Sequence, residues 1–311
     1  MYFPYLRGRQ YELIALRELI DNDRLSKYVT PIIEPVKVSP TLLSTIKAFN
    51  EKNRDLILIR NPHVGTYESD STKEKNATTF EKIQNVITSS NIYSGLIIDE
   101  NSHFFVNKMI EQGIEYDKMV SLCLNSDNIE NLQSAFCNGN PRYNIIPYSP
   151  AFRRVRKGDR VMIDDKFNKL PRNNDYLDCT DEFFSDDYLY CYEDGYFGFS
   201  DYSIVGEEYS ESGFAPYAVA IHIVYMDKDN ALRIHHFVSD SNDDISDPAN
   251  KFYEALSKLI EWNNQKKLTT LAMQTFESMY KNETYPGLGV VKKLAIMHHI
   301  ELLGNYLNGV L

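Results

Sequence analysis

The stretch TPIIEPVKVSPTLLSTIKAFNEKNRDLILIRN, residues 30–61, predicts one complete unit of strand, helix and strand. Two β-rich apolar runs, residues 30–36 and 56–60, enclose an amphipathic segment. Ser39 is a good N-cap for this helix, and Pro40 suits the first helical position because no amide hydrogen is needed there. Two strands joined by a crossover helix are typical of a parallel sheet.

The same alternation extends to both sides of this unit, and convincing helices separate the first five strands. The eight candidate strands are residues 2–6, 30–36, 56–60, 95–99, 120–124, 144–147, 160–163 and 196–200. The sequence therefore predicts an α/β fold, specifically a TIM-barrel-like (β/α) domain. An open sheet has the same alternation and stays an alternative.

The regular alternation stops in the second half of the chain. Residues 172–185 are polar and acidic, which favours an exposed excursion over a helix or strand. Residues 217–225 and 231–237 flank a polar turn and predict an antiparallel hairpin. Helical patterns follow at residues 248–263, 268–280 and 290–307.

These patterns predict three parts of the chain. We expect a barrel-like core at residues 1–206, a hairpin insertion at 207–247, and a helical C-terminal tail at 248–311 that packs on the core. No repeat of fixed period is present.

The chain is acidic, with 44 Asp and Glu against 33 Lys and Arg among 311 residues, and a formal net charge of -11. Such a charge repels a phosphate backbone, so general nucleic-acid binding is disfavoured. The exception is a basic patch from Arg153 to Lys157, which suits a phosphate, an acidic partner or a solvated loop.

Other classes are excluded by missing patterns. The sequence has no apolar run of membrane-spanning length and no signal peptide, so we expect a cytoplasmic protein without a membrane partner. Four cysteines without a CxxC pair agree with a reducing compartment. Walker, GxGxxG, GxSxG and HExxH motifs are absent.

Polar side chains concentrate where the predicted strands end, which is where parallel α/β folds bind ligands. Arginine, lysine, amide and tyrosine groups are the candidates for binding an anion: Arg7, Arg9, Lys37, Arg60, Asn61, Lys166 and Tyr202. Carboxylates are the candidates for holding a hard divalent cation: Glu34, Asp99 and Asp164. His63 and Asp201 are the candidate catalytic groups.

Three functions use such residues. The first is binding of an anionic, phosphorylated or nucleotide-like ligand at the strand ends. The second is a metal-dependent phosphodiester hydrolase or lyase, with Mg²⁺ or Mn²⁺ as cofactor. The third is a non-catalytic interaction module that binds a protein partner through the hairpin and the helical tail. Mutual pairing of the strand-end charges is the structural alternative to all three.

Four segments resemble the beta-protein family, a largely uncharacterised family of phage and bacterial proteins. They are MYFPYLRGRQYELIALREL (residues 1–19), TPIIEPVK (30–37), FGFSDYSIVGEEY (197–209) and APYAVAIHIVY (215–225). The resemblance extends to the hairpin and does not include the helical tail. It implies a barrel-like α/β fold and a role in conflict between phage and host, but no established reaction.

Overall fold

The structure is a computed structural model that describes residues 1–155, 158–210 and 216–310. The chain divides into two compact units. The first comprises Met1–Leu13, Lys27–Asp165 and Asp187–Tyr202, and the second comprises Ile14–Ser26, Lys166–Asp186 and Ser203–Leu311. Among the described helices, none combines the length and apolar character needed to cross a membrane.

Eight parallel strands form the sheet of the first unit, and each strand pairs with the next one along the chain. They are β1 (Tyr5–Leu6), β2 (Ile32–Ile33), β3 (Leu56–Ile59), β4 (Ile92–Ile97), β5 (Met119–Leu122), β6 (Tyr143–Pro147), β7 (Asp159–Asp164) and β9 (Gly198–Asp201). The strand between the last two, β8 (Asp181–Ser185), belongs to the second unit. All eight strands predicted from the sequence are confirmed.

Backbone hydrogen bonds bring the two edges of this sheet together. Phe3 donates its amide hydrogen to the carbonyl of Phe199 (2.9 Å), and Phe199 donates to the carbonyl of Met1 (3.1 Å). An isolated parallel bridge also joins Tyr2 to Phe199. The sheet is therefore a nearly closed barrel, and the predicted TIM-barrel-like fold is confirmed.

Helices follow most of the barrel strands, as the alternation in the sequence predicts. They are α1 (Gln10–Asp21), α2 (Pro40–Glu51), α3 (Tyr67–Ser71), α4 (Ala77–Val86), α5 (Ser102–Glu111), α6 (Ile129–Ala135) and α7 (Asp187–Tyr190). Short 3-10 turns lie at Glu74–Asn76, Tyr116–Lys118, Ser126–Asn128 and Pro150–Arg154. Ser39 caps α2 as expected, because its side chain accepts a hydrogen bond from the amide of Leu42 (3.2 Å).

Side chains alternate between the inside and the outside of the barrel. The buried cluster inside comprises Phe3, Tyr5, Ile32, Ile57, Ile59, Ile97, Val120, Leu122, Tyr143, Ile145, Val161, Ile163 and Tyr202. Because Ile57 and Ile59 point inward, Leu58 and Arg60 face the outer, helical side of β3. This alternation decides which strand-end residues can meet.

The second unit contains an antiparallel sheet in the order β10 (Ala220–Met226), β11 (Leu232–Val238) and β8. The predicted hairpin is confirmed as β10 and β11. The prediction that residues 172–185 contain no helix or strand is wrong, because they include a 3-10 turn, Asn173–Leu177, as well as β8. Asp181 and Glu182 make β8 look like a loop, but their carboxylates bind histidines of β11.

Three helices complete the second unit, and they confirm the helical character predicted for the C-terminal part. They are α8 (Pro248–Lys266), α9 (Leu271–Lys281) and α10 (Leu288–Leu307). Helix α10 packs on β10 and α9, while α8 packs on β11. His298 of α10 is fully buried, and its Nε2 bonds the carbonyl of Val224 in β10 (2.7 Å).

Candidate anion-binding site

The buried carboxylate of Glu34 organises the mouth of the barrel, just after β2. One Glu34 oxygen accepts a hydrogen bond from Tyr5 Oη (2.7 Å) and pairs with the guanidinium of Arg7. The other oxygen accepts from the backbone amide of His63 (2.7 Å). Because Tyr5 and Ile32 belong to the barrel core, alternation places Arg7 and Glu34 on the inner face as well.

Arg7 lies against two aromatic rings at this mouth. Its guanidinium carbon is 4.9 Å from the ring centre of Tyr5 and 5.4 Å from that of Tyr202. Burial opposes the charge, but the interactions with Tyr5 and Glu34 outweigh burial and raise the pKa of Arg7. The charge of Arg7 is already balanced by Glu34, so this arginine is poorly placed to hold a second anion.

His63 and Asp99 form the more accessible pair of the mouth. Nε2 of His63 is 3.4 Å from Oδ2 of Asp99, and the two side chains are 46% and 27% exposed. The other Asp99 oxygen accepts from the amide of Asn101 (2.8 Å) and from Ser102 Oγ (3.2 Å). A histidine oriented by a carboxylate is chemically suited to proton transfer. The catalytic role of His63 stays a prediction.

Asn61 has a structural role at the end of β3. Its Nδ2 donates to the carbonyl of Ile97 (2.8 Å), and its Oδ1 accepts from the amide of the same residue (2.9 Å). The side chain thus continues the hydrogen-bond ladder from β3 to β4. Its predicted contact with a ligand would compete with these two bonds.

Three further candidates lie in loops. Lys37 is exposed in the loop after β2. Arg9 immediately precedes α1, where its amide donates to a Glu12 carboxylate oxygen (3.4 Å). Lys166 belongs to the second unit.

Asp164 and Asp201 point away from the barrel interior. They are partners in the register of β7 and β9, and their neighbours Ile163 and Tyr202 lie in the core cluster. Asp201 is buried, and its Oδ1 accepts a hydrogen bond from Tyr2 Oη (2.7 Å). Burial and this carboxylate raise the pKa of Tyr2 well above its ordinary value. Asp201 therefore has a structural partner outside the mouth.

The predicted metal ligands do not share one face of the sheet. Glu34 and Asp99 lie at the mouth, whereas Asp164 is on the outer face. In residues 1–155, 158–210 and 216–310, no group of three or more His, Cys, Asp or Glu side chains has the arrangement to hold a metal ion. The geometry gives no support to the metal-dependent hydrolase.

Arg60 also faces outward, and it differs from Arg7 in its partners. It is partly buried, its Nη2 is 3.3 Å from Gln84 Oε1, and its Nη1 is 3.5 Å from Ser94 Oγ. Burial lowers the pKa of Arg60, with an opposing contribution from Tyr67. Within the part of the chain that the structure describes, no carboxylate forms an ion pair with it. Arg60 is thus a cation surrounded by neutral hydrogen-bonding groups.

Two cavities in the helical layer meet at Arg60, and Gln84 and Gln112 also line both of them. The first, the aromatic groove, has a volume of about 350 Å³ and is lined by three rings, Tyr67, Phe80 and Phe105, together with Lys108 and the exposed carboxylate of Glu68. The second, the hydroxyl groove, has a volume of about 460 Å³. Its hydroxyl and cationic lining includes Thr88, Ser89, Ser90, Ser94 and Lys118.

The small side chain of Ser94 helps to explain this space. Ser94 lies on β4 between Tyr93 and Gly95, and its hydroxyl faces the same side as Arg60. A larger apolar residue at this position would fill the space between the sheet and the helices. Both volumes lie within the range of about 300 to 1,000 Å³ that is usual for small-molecule sites.

The sequence identified Arg60 as a candidate ligand-binding residue, but it predicted that Arg60 lies beside Arg7 and Asp201. Arg7, Arg60 and Asp201 do not converge, because Arg7 faces the interior while Arg60 and Asp201 lie on the outer face of different strands. Gln84, Ser94 and Lys108 were missed. Strict alternation from Leu58 to Arg60 was the available signal, since it directs the charge under the helices.

The basic patch is described only in part. Arg153 and Arg154 are exposed in the 3-10 turn after β6. Arg156 and Lys157 lie outside the described residues, so the predicted nucleic-acid or phosphate contact of this patch stays a prediction.

The nearly closed parallel sheet and the paired grooves on its helical side define an α/β-barrel protein with a lateral cavity centred on an arginine. A scan against models of protein families finds no match for this chain. A search of curated proteins likewise finds no similar sequence. We therefore infer the function from the geometry of these residues.

Proposed function

We propose that this chain binds an anionic, phosphorylated or nucleotide-like ligand in the aromatic and hydroxyl grooves around Arg60. The observation that carries the proposal is the partly buried guanidinium of Arg60, whose partners among the described residues are the neutral groups of Gln84 and Ser94. A desolvated cation without a counter-ion is costly, and a bound anion removes that cost. Arg60 follows β3, as the sequence predicts, but its side chain faces the outer side of that strand.

The charge around Arg60 favours an anion. Lys108 adds a second cation to the aromatic groove and Lys118 adds one to the hydroxyl groove. Glu68 and Glu115 each contribute one carboxylate to the lining. With Arg60 included, each groove has an excess of one positive charge, although the chain as a whole is acidic.

The two linings suit the two parts of a nucleotide. The aromatic groove offers Tyr67, Phe80 and Phe105, whose rings can pack against a base. The hydroxyl groove offers serine and threonine hydroxyls with Lys118, which are typical donors to phosphate oxygens. Arg60 lines both grooves, and its planar guanidinium can hold a phosphate with two parallel hydrogen bonds.

The test compares Arg60→Met with the native chain in thermal-shift and calorimetric titrations of inorganic phosphate, sugar phosphates and nucleotides. Methionine keeps the apolar stem and removes the charge. We expect an anion at about a hundredfold excess over its Kd for these grooves to stabilise the native chain by about 2.7 kcal/mol, and this contribution to be lost in Arg60→Met. Lys47→Met is the control because Lys47 is an exposed cation on α2 and lines neither groove.

Two outcomes contradict the proposal. One is that no phosphate, sugar phosphate or nucleotide stabilises the native chain. The other is that Arg60→Met keeps the full stabilisation, which would place the anion elsewhere.

The proposal concerns binding and includes no turnover. A cytoplasmic location fits a ligand of this kind, and it stays part of the proposal. The setting of phage and host conflict depends only on the resemblance to the beta-protein family, and it also stays a prediction. The interaction module is the remaining alternative, and deletion of the hairpin and the helical tail tests it through loss of partner binding.

A further inference from the structure

Three side chains of the second unit form a continuous hydrogen-bonded chain across its sheet. Nδ1 of His222 on β10 is 2.7 Å from Nδ1 of His236 on β11. Nε2 of His236 is 3.2 Å from Oε1 of Glu182 on β8. The His236 side chain is fully buried, and the Tyr176 ring lies 4.7 Å from the His222 ring and 4.4 Å from the His236 ring, which restricts both imidazoles.

The chemistry of the three groups determines where each hydrogen lies. A carboxylate only accepts, so His236 must donate from Nε2 to Glu182. A neutral His236 then has a lone pair on Nδ1, and His222 must donate its Nδ1 hydrogen to it. Neutral His222 therefore carries a lone pair on its other nitrogen, Nε2. Burial, the neighbouring His236 and the charge of Lys292 lower the pKa of His222 to about 3, which agrees with a neutral ring.

His222, whose Nε2 is the accepting nitrogen, lines a cavity. The cavity has a volume of about 320 Å³, and its lining includes Lys169, Lys292, Asn173 and the rings of Phe167 and Tyr176. Within the described part of the chain, Nε2 of His222 has no hydrogen-bond partner. A larger cavity of about 990 Å³ shares Asn173 and Lys292 with it.

We propose that this cavity is a second ligand site, which takes a small anion carrying a hydroxyl group, such as a sugar phosphate. His222 Nε2 accepts the hydroxyl hydrogen, while Lys169 and Lys292 meet the negative charge. Glu182 acts through His236 as a positioning residue, because it fixes the tautomers that make Nε2 an acceptor. The inference is independent of the Arg60 grooves.

Nitrogen-15 NMR of the imidazoles in the full chain tests the hydrogen-bonded chain directly. We expect hydrogen on Nε2 of His236 and on Nδ1 of His222. Replacement of Glu182 by leucine removes the acceptor, so both histidines should lose their single tautomer. Glu208→Gln is the control, because Glu208 pairs with Lys169 in the same unit without joining the chain. A hydrogen on Nε2 of native His222 overturns the proposal.

Carbethoxylation tests whether the accepting nitrogen is open and whether an anion covers it. The reagent diethyl pyrocarbonate attacks unprotonated imidazole, so in mildly acidic buffer His222 should react while ordinary histidines, with a pKa of about 6.5, are protected by their charge. Glycerol phosphate or ribose phosphate at about tenfold its Kd should slow the reaction of His222 about tenfold. Inorganic phosphate and free ribose are the two halves of the probe and should protect less.

The outcomes separate this site from the grooves around Arg60. Protection must persist in Arg60→Met and disappear when both Lys169 and Lys292 are replaced by glutamine. No reaction at His222 in the folded chain overturns the proposal, and so does the absence of protection by either sugar phosphate at millimolar concentration.

Discussion

At the scale of single residues, the two arginines after β1 and β3 illustrate how the partner determines the role. Arg7 pairs with the fully buried Glu34, whereas the partners of Arg60 within the described ranges are Gln84 and Ser94. A buried ion pair supports structure, while a cation with neutral partners keeps its capacity for an anion. The sequence shows the same residue type in both places.

Glu34 should be among the most sensitive positions of the first unit. Glu34→Ala removes the carboxylate that accepts hydrogen bonds from Tyr5, Arg7 and the amide of His63. It also leaves the charge of Arg7 uncompensated, so we expect the free energy of unfolding to fall by about 3 to 5 kcal/mol. Urea denaturation followed by far-ultraviolet circular dichroism measures the change. The double variant Glu34→Leu with Arg7→Met is the control, and it should lose much less. Equal losses in both variants would show that the ion pair is not the cause.

Arg60 should show the opposite relation between stability and binding. Arg60→Met loses two hydrogen bonds to neutral groups and removes a partly desolvated charge, so the two effects nearly cancel. We expect the free energy of unfolding without ligand to change by less than about 1 kcal/mol, although anion binding is lost. A large destabilisation in urea would instead assign Arg60 a structural role.

At the scale of elements, the loop after β3 is fixed to the loop after β2 by a close backbone approach. Gly65 has a positive φ of 77°, and a Cβ added there would lie 2.3 Å from the carbonyl oxygen of Val36. The same carbonyl accepts a hydrogen bond from the amide of Thr66 (2.7 Å). The glycine is therefore required for both its conformation and its lack of a side chain.

Gly65→Ala should destabilise the first unit by clearly more than the backbone conformation alone accounts for. The left-handed conformation costs alanine about 1 to 2 kcal/mol, and the contact with Val36 adds to it. Gly113→Ala is the matched control, since Gly113 has a φ of 81° but open space around it. Differential scanning calorimetry of both variants should show the larger drop in melting temperature for Gly65→Ala. Equal drops would remove the contact as a cause.

The elements also show where sequence patterns succeed. Barrel strands such as β3 are continuous apolar runs because both faces are buried, and such runs are easy to recognise. Strand β8, DEFFS, begins with two carboxylates and was missed. Its polar residues are satisfied by Arg233, His235 and His236 of a strand roughly fifty residues further along the chain, and no local pattern contains that partner.

At the scale of the whole molecule, buried histidines should make the second unit sensitive to acid. Burial lowers the pKa of His298 to about 4 and that of His299 to about 3. Below the ordinary histidine pKa of about 6.5 these histidines bind protons in the unfolded chain but stay neutral in the folded chain. The free energy of unfolding therefore decreases as the pH falls. Each buried histidine contributes up to about 1.4 kcal/mol per pH unit between its folded and unfolded pKa values.

The fluorescence of Trp262, the single tryptophan of the chain, reports on the second unit and can follow its unfolding in urea. We expect the unfolding free energy to decrease steadily as the pH is lowered from about 6.5 to about 4. His298→Gln keeps polar atoms for Thr270 and Val224 and should make the decrease shallower. His103→Gln, which replaces an exposed histidine, should leave the slope unchanged. A slope insensitive to His298→Gln would contradict the assignment.

Patterns in the sequence are enough to predict the eight parallel strands, the hairpin and the C-terminal helices, because apolar periodicity and caps are local properties of the chain. It also identified Arg60 as a strand-end cation. Three other features become visible in the folded chain alone: Arg7 meets Glu34, Arg60 lies under the helices, and Glu182, His236 and His222 form one hydrogen-bonded chain. These contacts depend on which face of a strand a side chain occupies and on which strands become neighbours, and both are settled by closure and packing of the sheets.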